Sequence, residues 1–132
     1  MGCWFHGSKR RHDVLVRRRA TAPEGRPADE ALNAIYLTPS FAFALACGAR
    51  PPGLTELDLE AGTIRFSEPS AFDPDQPVFV HVVDPDDIPT DAVTWVDEWQ
   101  IAVTLDRVVP DRVEEHRAGE LGDWFAIEPW QG

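Results

Sequence analysis

Cysteine is scarce in this 132-residue sequence: Cys3 and Cys47 are the only two. Two isolated cysteines give no disulfide framework, so stability is expected to come from an apolar core. Basic residues are also few, with 12 Lys and Arg against 23 Asp and Glu and a net charge of −11. That excess argues against a protein that coats nucleic acid or an anionic membrane with its whole surface. Long hydrophobic runs are missing. The stretch Phe41 to Cys47 is far short of the roughly 20 residues that cross a bilayer. No apolar segment near the N-terminus suits a signal peptide, and His6 stands where a myristoylation pattern has Ser or Thr. The expectation is a cytoplasmic protein without membrane association; a toxin exported without a cleaved signal reads the same. His12, His81 and His116 show no metal-ligand spacing with the cysteines, so no metal is expected. Neither Gly-x-Gly-x-x-Gly nor a Walker pattern occurs.

What is present suits one globular domain over residues 1–132. The length supports a single core, and 43% hydrophobic with 27% charged residues is ordinary globular composition. Charge is unevenly spread: residues 1–26 carry +5 and the remainder −16. A basic front on an acidic body suits an anionic ligand, or pairs with its own acidic half. Twelve prolines and nine glycines cut the chain into short pieces, which favours short strands and turns over long helices.

The pattern predicts strands at Cys3 to His6, ending at Gly7, at Asp13 to Arg17 and at Ala34 to Thr38. Between the last two runs a basic loop, Arg18 to Glu30. Thr38 is placed to cap a helix, with Pro39 at its first position, Phe41 to Cys47 as its body and Gly48 as its end. A hairpin is expected from Leu57 to Phe66 around Glu60-Ala61-Gly62. A turn at Asp73 to Pro77 leads into a buried strand, Val78 to Val83, and an acidic loop, Asp84 to Asp91. A long strand is expected from Trp95 to Val103, then one or two more at Val108-Val109 and Val113 to His116. The class is α+β, mostly antiparallel.

Three pieces carry the chemistry: Phe5-His6-Gly7-Ser8, Ala34-Ile35-Tyr36-Leu37-Thr38 and Asp97-Glu98-Trp99-Gln100-Ile101-Ala102-Val103. In this order they resemble the ADP-ribosyltransferase fold of the diphtheria-toxin and poly(ADP-ribose) polymerase branch. Phe5-His6-Gly7-Ser8-Lys9, and Ile35-Tyr36-Leu37-Thr38 before an Ala-rich helix, are similar to small rifampin ADP-ribosyltransferases. The likeness covers the first fifty residues well and the rest by order of elements. It implies two small, mostly antiparallel sheets forming a cleft, few short helices, and NAD as the cofactor. ADP-ribose would pass to an unknown acceptor (small molecule, protein or nucleic acid) or to water. An antitoxin or other partner protein is also consistent with it.

Breaking the nicotinamide–ribose bond passes through an oxocarbenium-like transition state. A site must hold a flat ring, anchor a ribose and place negative charge at the reacting carbon. By the resemblance, His6 anchors the ribose, Tyr36 stacks on nicotinamide, and Gly7 and Ser8 read the carboxamide. Thr38 and Phe43 complete the NAD-binding set, with Phe43 offered as the second aromatic. Glu98 is the expected acid. On a strand, Glu98, Gln100 and Ala102 would share one face, opposite Trp99, Ile101 and Val103. Gln100 at the second acid position, and Asp86 or Asp87 after the Val78 to Val83 strand, are the rivals.

Plainer readings stand beside these. His6-Gly7-Ser8 can be a strand end, Tyr36 a core aromatic and Glu98 a solvated carboxylate. Arg17-Arg18-Arg19 reads as a solvated loop or as a phosphate clamp. Cys47 reads as a small apolar filler. The alternative function is a non-catalytic, degenerate domain on the same fold that binds a nucleotide or partner.

Overall fold

The computed structural model describes residues 2–19 and 33–130. Their strands, in chain order, are β1 (Trp4–Ser8), β2 (Leu15–Val16), β3 (Arg18–Arg19), β4 (Asn33–Leu37), β5 (Thr55–Asp58) and β6 (Thr63–Phe66). Then follow β7 (Pro77–Val83), β8 (Val93–Trp95), β9 (Ile101–Val103), β10 (Arg107–Val108), β11 (Arg112–Arg117) and β12 (Ala126–Glu128). One α-helix, α1 (Phe41–Ala49), follows β4, and short 3-10 turns punctuate the second half. The chain is α+β, mostly strands in small antiparallel sheets with few helices.

Two sheets matter for the site. One runs β1-β7-β11 and the other β3-β4-β9-β8, and both are antiparallel throughout. They meet at one bridge, Phe5 to Thr38, where each backbone N–H donates to the other's carbonyl at 2.8 and 2.9 Å. Each side has its own core. One gathers Leu45, Ile64, Phe66, Val78, Val80 and Leu121 around α1; the other gathers Leu15, Ile35, Leu37, Ile101 and Val103. The seam between them runs along β1 and β4.

Helix α1 packs onto β1 through glycine. A Cβ on Gly7 would lie 1.7 Å from the carbonyl oxygen of Ala44, and one on Gly48 would lie 2.5 Å from Val78. Gly7 lies inside β1 rather than ending it, because the close helix needs a strand residue with no side chain there. The helix start also differs from expectation. Ser40, not Thr38, is the N-cap: its Oγ accepts from the Phe43 N–H at 3.1 Å, whereas Thr38 Oγ1 accepts from the Ser40 N–H at 3.1 Å. Gly48 stays inside the helix, and Arg50 ends it.

The expected hairpin forms between β5 and β6, with Gly62 at φ +70°, a conformation glycine adopts without strain. The buried strand after Asp73 to Pro77 is β7. The strand expected at Asp13 to Arg17 shortens to β2. Of the expected loop from Arg18 to Glu30, Arg18 and Arg19 form β3, and the rest lies outside the described residues.

The single strand expected from Trp95 to Val103 is a hairpin instead. β8 and β9 pair antiparallel, Trp95 against Ile101, and the chain turns between them. Asp97 drives the turn: its Oδ1 accepts from the Trp99 N–H at 2.7 Å and its Oδ2 from the Gln100 side-chain amide at 3.2 Å. The two-face alternation fails for a second reason. Ile101, Ala102 and Val103 are all buried: β9 is the inner strand between β4 and β8, so the apolar/polar alternation of a half-exposed strand does not apply.

Candidate functional site

A cleft of about 130 Å³ opens at the seam of the two sheets. β1 contributes His6 and Gly7, β4 contributes Tyr36, and Thr38 follows at the bridge. Phe43 comes from the first turn of α1, and Gln100 from the β8–β9 hairpin. Five of the six residues expected to bind NAD therefore share one cleft: His6, Gly7, Tyr36, Thr38 and Phe43. Ser8 lies one step along β1, in an adjoining cavity of about 480 Å³ with Lys9 and Arg50. His6 and Gly7 line both.

The first ring is held firmly. His6 Nδ1–H donates to the carbonyl of Tyr36 at 2.9 Å, which fixes the imidazole against β4. Behind it, across the β1–β7 register, stands His81. This residue is fully buried; its Nδ1–H donates to the His6 carbonyl at 3.0 Å, and its Nε2 accepts from the His12 N–H at 2.9 Å. Burial pushes the His81 pKa below the usual imidazole value, and the positive charge of His6, His12 and Arg11 acts the same way. The hydrogen bond to the His6 carbonyl opposes these effects without overcoming them. His81 is thus a neutral strut under the cleft. Nothing in the sequence signalled it, since the pairing of His6 with His81 depends on strand register.

Several expected side chains already have work in the fold. Thr38 is buried, and its hydroxyl is held by the Ser40 amide. Gly7 is explained by the approach of Ala44, before any ligand is considered. Ser8 Oγ accepts from the Arg10 N–H at 3.1 Å and stands 3.4 Å from His12 Nε2. Arg17 donates to the Thr104 and Leu105 carbonyls, so it pins the chain to the β9–β10 connection and is not a free clamp.

The acid position is where structure and sequence reading part. Glu98 is exposed on the hairpin turn and does not line the cleft; Gln100 does. Asp86 and Asp87 sit in a 3-10 turn beyond the end of β7, where Val83 pairs with Trp4, away from the His6–Ser8 end of β1. Neither lines the cleft. Asp87 instead faces Asp111, whose negative charge raises its pKa above the usual carboxylate value.

The positive end of the groove was only partly legible. Lys9 Nζ donates to the carbonyls of Gly48 and Arg50 at 2.7 and 2.8 Å, closing the C-terminal end of α1. An ammonium has three N–H bonds, so one remains after these two. Arg50 stands beside it in the same cavity wall. Cys47, expected as a small apolar filler, is exposed and lines both cavities. Among the described residues no helix is long and apolar enough to cross a membrane.

No protein-family model matches this chain, and no curated protein and no solved structure matches it.

Proposed function

We propose that the chain is an ADP-ribosyltransferase-like domain that binds NAD in this groove. It would cleave the nicotinamide–ribose bond and transfer ADP-ribose to an acceptor or to water. One observation carries the reading: His6 from β1, Tyr36 from β4 and Phe43 from α1 line one small cleft between two antiparallel sheets. The cleft suits a single flat ring, since whole-ligand pockets run to about 300–1,000 Å³. The larger cavity with Lys9 and Arg50 suits the anionic phosphates. His6 then anchors the ribose, and Tyr36 and Phe43 supply aromatic surface for the nicotinamide.

The acid in this reading is Glu98, and the hairpin turn must fold over the cleft for its carboxylate to act. Gln100, already at the cleft, can hydrogen-bond a ribose hydroxyl but supplies no negative charge. That fact favours the second reading, a nucleotide-binding module that performs no chemistry.

Nicotinamide release from NAD by the purified chain separates the two. Release that falls by at least about 10²-fold in Glu98→Gln supports the transferase, this being the scale for losing a transition-state electrostatic partner. Saturable NAD binding with no release supports the module. Absence of NAD binding removes both.

A further inference from the structure

We propose that Ser8 and His12 form a nucleophile–base pair that hydrolyses carboxylic esters bearing an anionic group, an activity separate from NAD cleavage. Ser8 closes β1, where it pairs with Phe79 on β7, so its hydroxyl stands on a rigid strand end. Its Oγ lies 3.4 Å from His12 Nε2. The Arg10 N–H occupies one lone pair of the same oxygen at 3.1 Å, which leaves the hydroxyl proton for Nε2. His12 is held from behind by the buried His81. Its backbone N–H donates to His81 Nε2 at 2.9 Å, and its ring packs on that imidazole with centroids 5.4 Å apart. A base fixed through both backbone and ring, within reach of a hydroxyl, is what activation of a serine requires.

The open side of Ser8 names the substrate class. Ser8 lines the cavity of about 480 Å³, a size that fits whole-ligand sites. Lys9 and Arg50 stand in its wall, and among the described residues no carboxylate lines it. These cations suit an anionic group carried by the ester. Their charge also favours the oxyanion of a tetrahedral intermediate. In the first step Ser8 Oγ bonds to the ester carbonyl carbon, and its proton passes to His12 Nε2. The ester C–O bond then breaks, and the departing alkoxide takes that proton. Water next attacks the acyl-serine and gives a proton to His12. The acid leaves as the bond to Oγ breaks, and His12 returns the proton to Ser8.

The test gives the full chain 4-nitrophenyl succinate, an anionic ester, and in parallel the neutral 4-nitrophenyl acetate, with no NAD present. Nitrophenolate release is followed, and the acylated chain is mapped by peptide mass spectrometry. The expected result is saturable turnover, faster on the succinate ester, with the succinyl group on Ser8. Ser8→Ala should remove that acylation and lower kcat by about 10²-fold or more. His12→Gln keeps the backbone bond to His81 and should lower kcat on the same scale with KM little changed. Arg50→Gln should narrow the preference for the succinate ester. A succinyl group on Lys9, Cys47 or elsewhere but never on Ser8, kcat unchanged in His12→Gln, or no saturable turnover overturns the proposal. Equal rates on the two esters overturn its substrate class. Acylation is mapped on the unaltered chain, so that result decides even where a variant fails to fold.

Discussion

The imidazole of His6 and the backbone of Tyr36 are joined by a hydrogen bond of 2.9 Å that ties β1 to β4 at the floor of the cleft. This bond links two sheets that otherwise meet at the Phe5–Thr38 bridge. His6→Ala removes it. The expected cost is about 1 kcal/mol of stability, read from urea unfolding. The same variant should lose NAD affinity by far more than that cost explains. Loss of affinity only in step with unfolding would reduce His6 to a strut.

Gly7 answers to packing, and its substitution should show it. A methyl group at this position meets the backbone of Ala44, which cannot rotate away as a side chain could. Gly7→Ala must push α1 off β1. The expected destabilisation is about 3 kcal/mol, the upper part of the usual overpacking range, measured by chemical denaturation. A neutral effect would mean that α1 is not seated on β1 as described.

Two histidines should titrate in opposite directions. His81 has a pKa lowered by burial, so its contribution to stability is present above pH ~6.5, the unfolded value, and is lost as pH falls toward the depressed folded value. For His116 burial also works against the charge, but hydrogen bonds to Glu114 and Glu120 outweigh it and raise the pKa. Its contribution is present below pH ~6.5 and is lost as pH rises through the raised value. At pH ~6.5, the ordinary imidazole value, NMR of the ring nitrogens should find His81 mostly neutral with its proton on Nδ1, and His116 mostly charged. His116→Gln should abolish the loss of stability on the alkaline side and leave the acid side in place.

The hairpin turn offers a gain-of-function test. If the cleft lacks only a carboxylate, Gln100→Glu supplies one at the position that already lines it. Nicotinamide release should rise about tenfold or more, because negative charge beside the reacting carbon lowers the barrier. No rise, with NAD binding intact, would indicate that the residue at 100 does not face the reacting ribose.

Much of the fold was legible because local chemistry and packing agreed. The β5–β6 turn was marked by glycine and β7 by an apolar run, and both formed as read. The short strands and turns, with few helices, follow from the density of Pro and Gly. Where the reading failed, a nonlocal fact decided. Residues 95–103 look like one strand because Ile101, Ala102 and Val103 are apolar, yet Asp97 bends the chain and β9 becomes an inner strand flanked at both edges by β4 and β8. That bend moved Glu98 from a strand face to an exposed turn and put Gln100 at the cleft. Strand register brings His81 beneath the groove and helix placement brings Arg50 into its wall, which no spacing along the chain encodes. β12 pairs parallel to β6, a contact over some sixty residues that composition alone could not announce.

The central claim is that the seam between the two sheets receives a dinucleotide. Its most direct measurement is a calorimetric titration of NAD into the full chain, repeated with Tyr36→Ala. The account predicts one-to-one, saturable binding by the unaltered protein. It also predicts loss of at least tenfold in affinity when the ring at 36 is removed, with the thermal transition still cooperative. Heat no greater than dilution for the unaltered protein, or equal affinity for the folded variant, would contradict it.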